Sequence, residues 1–531
     1  MAKWLLNTTI KIHKQMRNLL KSFILLIIVA LFSACDKPTP KDLAKEDLIP
    51  KPSKVVATGS SFELEDEATI YVESGNSEVK NIGIYLANLL KPATGYAFDI
   101  KDADSAEEDD AINLMIDDSA SQLGEEGYTL TINEEYIVLK AFKPAGLFRG
   151  IQTLRQLLPA TIESDKLQQG PWLIATGTIE DRPNYAFRSI MLDVSRHFFS
   201  VDEVKRFIDQ LAAFKINTLH LHLSDDQGWR IEIKSWPKLT TVGGSSEVGG
   251  GEGGFYTQEQ YSDIVKYAQE RYITIIPEID MPGHTNAALA SYPELNPDNK
   301  AKELYTGTNV GFSTLMTNKE ITYKFIDDVI REIAALTPGE YIHIGGDESH
   351  STEKKDYIPF INRVQEIVNS HGKKVIGWAD ISAAKLKPGT VAQMWQQKPD
   401  NALNAIKQDV KIIMSTASRM YMDLKYDSLT RIGLTWAGTI EVDKAYDWVS
   451  ETMFEGITKE NIMGFEAALW TETVKTTDDI DYLVFPRMPG YAEIAWTTQT
   501  RDWSEYKVRL ASFKERFEQM KINYYKSPKV W

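Results

Sequence analysis

Short apolar runs alternate with amphipathic helical segments through most of the chain after residue 183. This alternation is typical of the βα units of a parallel sheet. Eight such units in about 350 residues predict an α/β fold, a (β/α)8 TIM barrel with insertions. The predicted strands are residues 189–194, 218–223, 273–279, 341–344, 375–378, 391–395, 412–414 and 463–470, and the clearest helices are residues 202–214, 258–271, 318–336 and 357–371.

Residues 54–180 mix strands and helices without this repeat, which predicts a smaller α+β domain in front of the barrel. Pro159 and the step Asp181-Arg182-Pro183 mark its end, so the barrel domain is placed at residues 181–531, with a C-terminal helix. The smaller domain contains no catalytic cluster, and we expect it to pack against the barrel. Its predicted strands are residues 69–72, 113–116 and 136–140, and its predicted helices are residues 79–90 and 145–158.

The first 35 residues follow the pattern of an export signal. Basic residues precede an unbroken apolar run at 23–32, and Ser33-Ala34-Cys35 supplies a small-residue cleavage site. The run is too short to span a bilayer as a helix. Because the single cysteine stands at the expected cut, the segment resembles a bacterial lipoprotein signal, in which Cys35 becomes the lipidated N-terminus; the alternative is a plain secretory peptide. Met1 and Met16 are both possible starts.

We therefore expect an exported protein held by lipid in a bacterial membrane, in the periplasm or at the cell surface. Residues 36–53 are rich in Lys, Asp and Pro. That composition predicts a flexible, solvated tether between the lipid and the first domain.

Charge and cysteine content exclude several functions. The formal net charge is −16, so we expect no nucleic-acid partner. With Cys35 as the single cysteine, disulfides, thiol catalysis and Cys-based metal sites are excluded. His220 and His222 are two apart on a predicted strand, but a His-x-His pair needs a third ligand. We expect neither a metal nor a cofactor, and the oligomeric state stays open.

The active site of a barrel lies at the C-terminal ends of its strands. Here acids, Arg, His or Trp stand at nearly every predicted strand end, which helix capping alone does not explain. These strand-end residues are 193–197, 222–226, 278–284, 347–348, 378–380, 395, 421–423 and 470–472.

The most informative strand end is residues 341–348, Tyr-Ile-His-Ile-Gly-Gly-Asp-Glu. On an extended strand Asp347 and Glu348 would point to opposite faces. The Gly345-Gly346 step can take the backbone out of extended geometry, so that both carboxylates face one ligand. Such a pair suits two tasks on neighbouring groups of a substrate; an exposed acidic turn is the alternative.

Aromatic residues beside carboxylates and an arginine indicate a carbohydrate ligand, because sugar faces stack on Trp and hydroxyls take charged partners. The same strand ends closely resemble the β-N-acetylhexosaminidases of glycoside hydrolase family 20. The likeness runs from about residue 181 to 503, and residues 54–180 are similar to that family's accessory domain. The motifs that carry it are DVSRHFF at 193–199, HLHLSDDQGWR at 220–230, PEIDMPGH at 277–284 and HIGGDE at 343–348.

The resemblance implies exo-acting, retaining hydrolysis of terminal β-linked N-acetylglucosamine or N-acetylgalactosamine from glycans. It implies that the substrate's acetamido oxygen attacks the anomeric carbon and forms an oxazolinium ion, without a protein nucleophile. Glu348 would be the general acid and base, and Asp347 would hold the acetamido N–H and stabilise the positive charge. The resemblance also implies the residues that bind the substrate. Arg196 and Glu472 would bind hydroxyls, Trp470 would lie under the ring, Trp378 and Trp395 would wall the acetamido pocket, and Tyr421 would bind the acetamido carbonyl. Asp423 and Trp436 lie in the loop that follows Tyr421, and Asp225 and His284 would be polar support of the acid.

Two other functions stay open. A non-catalytic glycan-binding lipoprotein on the same fold would be expected to lose Asp347 or Glu348, and both are present. A glycosidase with a protein nucleophile would need a second carboxylate about 5 Å from Glu348. The candidates for that nucleophile are Asp225, Asp380 and Glu472.

Overall fold

The computed structural model describes residues 13–14, 16–17, 39–107 and 110–531. Cys35 and the apolar run of the predicted signal lie outside these ranges. No helix within the described ranges combines the length and apolar character that a membrane crossing requires.

Seven strands form one mixed sheet in the first domain. They are β1 Lys54–Glu63, β2 Thr69–Glu73, β3 Ile100–Ala103, β4 Ala111–Ile116, β5 Tyr128–Ile132, β6 Tyr136–Ala141 and β7 Leu173–Asp181. Their order in the sheet is β1-β7-β5-β6-β4-β2-β3. Helices α1 (Ser77–Thr94) and α2 (Pro144–Leu157) pack on the sheet and against each other. The sequence predicts β2, β4, β6 and both helices, but it misses the other four strands.

Eight parallel strands close a barrel in chain order, which confirms the predicted fold class. Strand β15 pairs with β8 and completes the closure. Each predicted barrel strand corresponds to one observed strand. They are β8 Phe187–Asp193, β9 Thr218–His222, β10 Thr274–Glu278, β11 Tyr341–His343, β12 Lys374–Trp378, β13 Val391–Met394, β14 Lys411–Met414 and β15 Ile462–Leu469.

The helices of the barrel surround these strands and continue beyond the last one. Helices α3 and α5 begin at capping boxes, at Ser200 and Thr257. The barrel-domain helices are α3 Val201–Ala213, α4 Lys238–Thr241, α5 Gln258–Gln269, α6 Asn286–Ser291, α7 Glu320–Leu336, α8 Lys354–Ser370, α9 Asp400–Ile406, α10 Ala417–Met420, α11 Val442–Tyr446, α12 Ser450–Met453, α13 Thr477–Val484, α14 Arg487–Trp496, α15 Trp503–Ser512 and α16 Lys514–Gln519.

Buried ion pairs join the two domains. Glu126 of the first domain accepts hydrogen bonds from Arg149 and from Arg188 on β8. Burial opposes the ionisation of Glu126, but the two guanidinium groups lower its pKa to about 2. Asp181 accepts from Lys215 and from the Trp496 indole, both of the barrel domain.

The prediction of a solvated tether over residues 36–53 is wrong for most of that segment. Leu43, Leu48 and Ile49 are buried. Arg509 donates to the Leu48 carbonyl at 2.7 Å, and the Gln156 amide donates to the Ile49 carbonyl at 2.7 Å. The segment contains few apolar residues, so its composition still resembles that of a tether. Even so, the buried Leu43, Leu48 and Ile49 and the contacts of their backbone fix it to both domains.

Candidate active site

The Gly345-Gly346 step turns the chain after β11 and aims two carboxylates at one pocket. The φ values are +64° and +100° at the two glycines, and +43° at Glu348. A Cβ at Gly345 would lie 1.8 Å from Asp280 Oδ1, so a side chain does not fit there. Asp280 Oδ1 accepts the Gly346 N–H at 3.0 Å. Asp347 and Glu348 therefore leave the opposed arrangement of an extended strand, and both line the pocket.

The pocket opens at the C-terminal ends of the barrel strands and has a volume of about 210 Å³. That is below the range of about 300–1,000 Å³ for drug-sized ligands, and it suits a single sugar ring. Its walls combine acids, one arginine, one histidine and aromatic rings. The lining residues are Arg196, His284, Thr308, Val310, Asp347, Glu348, Trp395, Tyr421, Asp423, Leu434, Trp436, Trp470 and Glu472.

Most of the predicted site residues meet in this lining, but Asp225 and Trp378 lie behind it. Both of these side chains are fully buried. Asp225 contacts Arg196 and His284, and the Trp378 ring centroid lies 5.8 Å from that of Trp470. In this structure they support lining residues and have no surface open to a ligand. Asp225 was expected in such a supporting position, whereas the predicted direct contact of Trp378 with the acetamido group is corrected to a supporting one.

His284 connects this buried layer to the two carboxylates. Its Nδ1 donates to Asp225 Oδ1 at 3.1 Å. Its Nε2 lies 3.5 Å from Glu348 Oε2 and 3.9 Å from Asp347 Oδ2. Burial disfavours an imidazolium, but the charge of Asp225 and the hydrogen bond to it raise the pKa of His284 well above its ordinary value. A protonated His284 therefore faces the pair.

Asp347 is a buried acid with a free acceptor. Burial raises the pKa of Asp347 to about 7. The charge of Glu348 adds to this effect, and that of His284 opposes it. Asp347 Oδ1 has no hydrogen-bond partner within the part of the chain that is described. Because an unsatisfied buried acceptor costs free energy, this oxygen is poised to accept a donor from a ligand.

Arg196 is fixed in the pocket wall beside Trp470, whose ring centroid lies 4.8 Å from the guanidinium carbon. It pairs with Asp225 at 2.8 Å and with Asp193 at 3.3 Å. Burial opposes its charge, but these two carboxylates raise the pKa of Arg196 well above its ordinary value. Its Nε is buried and, among the described residues, has no partner, so one donor is left for a ligand.

A second pair of acids, Asp423 and Glu472, also lines the pocket. Burial and the charge of Glu472 raise the pKa of Asp423 well above its ordinary value, and burial raises that of Glu472 although Arg196 opposes it. Both oxygens of Asp423 and Oε2 of Glu472 lack partners in the described ranges. Hydroxyl groups of a ligand would satisfy these oxygens.

Aromatic rings complete the walls. The Tyr421 ring centroid lies 6.2 Å from that of Trp470 and 6.0 Å from that of Trp436. Trp395 lies 6.2 Å from Trp436 and donates its indole N–H to Asp380 at 3.0 Å. Trp436 is 55% exposed, so it forms the open edge of the pocket, where a group attached to a bound sugar would lie.

Loops also bring residues to the pocket that the sequence does not predict, Thr308, Val310 and Leu434. No local pattern marks them. Glu278 stands in the motif at 277–284 without a role predicted from sequence, and the structure places it at the centre of a buried polar cluster. The motif was the signal that could have identified it.

The clusters that could hold a metal ion among the described residues overlap this polar network. Contrary to the argument from sequence, His220 does have further ligands nearby, in Glu278 and His343. However, His220 and His343 lie 3.1 and 2.9 Å from Glu278 oxygens, and Trp378 donates to the same carboxylate at 2.9 Å. Trp378 and His222 hydrogen-bond the two oxygens of Glu278, so both oxygens of this carboxylate already have partners. The other two clusters consist of Asp225, Asp226 and His284, and of Asp280, His284 and Asp347.

Proteins similar to this chain include β-N-acetylhexosaminidases. The chain is 39% identical over 487 residues to the β-N-acetylhexosaminidase of Cellulomonas fimi, covering 91% of this chain and 96% of that protein. The structure of the β-N-acetylhexosaminidase from Streptomyces coelicolor A3(2) superposes with a TM-score of 0.89 at 50% identity, covering 92% of this chain and 99% of that one. The structure of a variant of the Streptomyces plicatus β-hexosaminidase contains the product GlcNAc. It superposes with a TM-score of 0.89 at 49% identity, covering 92% of this chain and 98% of that one.

Two family models account for nearly all of the described chain. The model of the glycosyl hydrolase family 20 catalytic domain matches residues 185–499. The model of domain 2 of the same family matches residues 45–182, which include the seven-stranded sheet. The protein belongs to glycoside hydrolase family 20.

Proposed function

We propose that the protein is an exo-acting β-N-acetylhexosaminidase that uses the acetamido group of its substrate as the nucleophile. The observation that carries this proposal is the convergence of Asp347 and Glu348 on a pocket for one sugar ring. The activities of the relatives support it. Exo action fits a small pocket that ends in a buried layer.

In the first step Glu348 gives its proton to the glycosidic oxygen as the bond to the leaving group breaks. Its side chain is 27% exposed, so it reaches both the pocket and the solvent from which the second-step water comes. In that second step the carboxylate removes a proton from water, which opens the oxazolinium ion and restores the acid.

Asp347 serves the cyclisation. Its unpartnered Oδ1 would accept the acetamido N–H, which orients the carbonyl oxygen toward the anomeric carbon. The ionised carboxylate would then stabilise the positive charge of the oxazolinium ring. Of the alternative protein nucleophiles, Asp225 and Asp380 do not line the pocket, and Glu472 lies beside Arg196, where it suits hydroxyl binding.

The test is a comparison of initial rates on three aryl substrates: β-N-acetylglucosaminide, β-N-acetylgalactosaminide and β-glucoside. We expect cleavage of one or both N-acetylated substrates and none of the glucoside, because a 2-hydroxyl group cannot form the oxazolinium ion. Comparable turnover of the glucoside would rule out substrate assistance. The ratio of the two N-acetylated rates gives the preference for gluco or galacto configuration.

We also propose that Cys35 carries lipid and anchors the exported enzyme in a bacterial membrane. The support is the order of basic segment, short apolar run and small residues before the single cysteine. Its substrates would then be N-acetylhexosamine-containing oligosaccharides or glycoconjugates outside the cytoplasm.

A further inference from the structure

Glu278, at the end of β10, is a fully buried carboxylate that the proposed mechanism does not use. Nitrogen atoms from three other strands surround it. Trp378 Nε1 donates to Oε1 at 2.9 Å, and His343 Nδ1 lies 2.9 Å from the same oxygen. His222 Nδ1 donates to Oε2, and His220 Nε2 lies 3.1 Å from it. Burial opposes ionisation of Glu278, but the three imidazoles lower its pKa well below its ordinary value.

His222 links Glu278 to the catalytic pair. Its second nitrogen, Nε2, donates to Asp225 Oδ2 at 2.8 Å. Asp225 Oδ1 in turn accepts from His284, whose Nε2 lies 3.5 Å from Glu348. Buried carboxylates and imidazoles therefore alternate from the barrel interior to the acid. His222 and Asp225 each have two hydrogen-bond partners along this chain, which leaves them little freedom of rotation. His284 is held by one of them, Asp225.

The second oxygen of Glu278 fixes the Trp378 ring. The indole N–H is held by that oxygen, and the ring packs 5.8 Å from Trp470, between centroids. Trp470 lines the pocket. One carboxylate thus sets the position of an aromatic wall as well as that of the chain to the acid.

We propose that Glu278 is a positioning residue of the hydrolysis: through His222 and Asp225 it holds His284 against the catalytic pair, and through Trp378 it holds the ring on which Trp470 packs. This inference rests on the proposed hydrolase function. A network that only stabilised the fold would change thermal stability when cut and would leave the chemistry of the folded enzyme unchanged.

The test compares Glu278→Gln with Glu493→Gln in the full chain. Glu493 is a matched control, because it is equally buried and accepts hydrogen bonds from Arg509, Tyr446 and Lys51, but it lies in α14 and not in the pocket lining. For the aryl N-acetylhexosaminide we expect Glu278→Gln to lower kcat about tenfold or more with little change in KM, since a misplaced acid slows chemistry. We expect Glu493→Gln to lose thermal stability and keep kcat within about threefold.

A pH profile supplies a second readout. The charge of Glu278 is among those that raise the pKa of Asp347, so Glu278→Gln should move the acid limb of kcat/KM to lower pH, and Glu493→Gln should not. The other titratable groups that face Asp347 are Asp280, His284, Glu348, Tyr357, Asp380 and Tyr421.

An unchanged kcat and pH profile in Glu278→Gln would overturn the inference, as would an equal fall of kcat in Glu493→Gln. If Glu278→Gln does not fold, Trp378→Phe removes the N–H that Glu278 accepts, and an unchanged kcat there overturns the inference instead. The wild type is assayed first. No hydrolysis by the wild type would overturn the proposed function and this inference together, whereas an active wild type with an unaffected Glu278→Gln overturns this inference alone.

Discussion

At the scale of single residues, Asp347 and Glu348 are neighbours in sequence with different environments. Asp347 is buried, with a raised pKa, whereas Glu348 is partly open to solvent. Different environments allow two carboxylates to perform different tasks at one pH. The contrast should therefore be visible both in activity and in the pH dependence of stability.

The first prediction concerns activity. Glu348→Gln should lose about 10²–10⁴-fold on substrates with poor leaving groups and much less on activated aryl glycosides, because only poor leaving groups need the proton. Asp347→Asn should lose activity on both, since every substrate must pass through cyclisation. Steady-state rates on the two substrate types check this. Mild loss in Asp347→Asn, with a sugar covalently attached to Asp225, Asp380 or Glu472 of the otherwise intact enzyme, would assign the nucleophile to the protein.

The second prediction concerns stability. Burial raises the pKa of Asp347 from 3.8 in the unfolded chain to about 7 in the folded protein. As pH rises from about 4 to 7, the unfolded state therefore loses this proton while the folded state keeps it, and the free energy of unfolding decreases over that range. Asp347→Asn removes this loss, so its Tm should exceed that of the wild type by an amount that grows from pH 4 to about 7 and then levels off. Thermal unfolding at several pH values measures it.

Asp117→Asn is a control of opposite sign. Hydrogen bonds from Ser119 lower the Asp117 pKa, so this carboxylate contributes stability at neutral pH that is lost as pH falls. The deficit of Asp117→Asn should therefore shrink on acidification. A Tm difference for Asp347→Asn that does not vary with pH would contradict the raised pKa.

At the scale of elements, the turn after β11 determines whether the site exists. Gly345→Ala places a Cβ 1.8 Å from Asp280 Oδ1, at a φ of +64° that costs a non-glycine residue about 1–2 kcal/mol. We expect a lower Tm and a large loss of kcat, because Asp347 and Glu348 are displaced. Gly372→Ala is the matched control: its φ is +74° and nothing lies within 4 Å of the added Cβ. Equal effects of the two variants on kcat would show that the turn does not position the pair.

The elements also show what local sequence can predict. All eight barrel strands are mostly buried and each contains at least two apolar residues, so their pattern is visible without tertiary contacts. Strands β1 and β3 form the two edges of the first sheet; β1 contains Lys54 and Gly59, and β3 has two exposed polar residues. Such strands are defined by pairing with a neighbour and not by an apolar pattern. The sequences of β5 and β7 do not explain why these two strands were not predicted.

The residues of the site also fall into those that the sequence can predict and those that it cannot. Residues at strand ends, such as Arg196 and Trp470, could be predicted because a barrel fixes where its strands end. Val310 and Leu434 could not, because tertiary contacts place their loops. The Leu434 N–H, for example, donates to the Asp423 carbonyl at 2.8 Å, a contact that no local motif encodes.

At the scale of the whole molecule, the proposed lipid anchor would limit where the enzyme can lie relative to a membrane. The described chain is already fixed at Leu43. If Cys35 is lipidated, the eight residue steps from Cys35 to Leu43 can span at most about 29 Å. The lipid would therefore hold the enzyme close to the bilayer surface.

The last prediction tests this anchoring. Cys35→Ala should release the enzyme to the soluble fraction or leave it unprocessed, with kcat/KM on a soluble aryl substrate unchanged, because the described residues that line the pocket run from Arg196 to Glu472. Lys37→Ala, outside the cleavage site, should fractionate with the membrane like the wild type. Cell fractionation and N-terminal analysis of the mature protein measure both. Wild-type fractionation of Cys35→Ala, with a mature N-terminus at another position, would mean that export uses a different signal and that the docked segment 41–53 has a purely structural role.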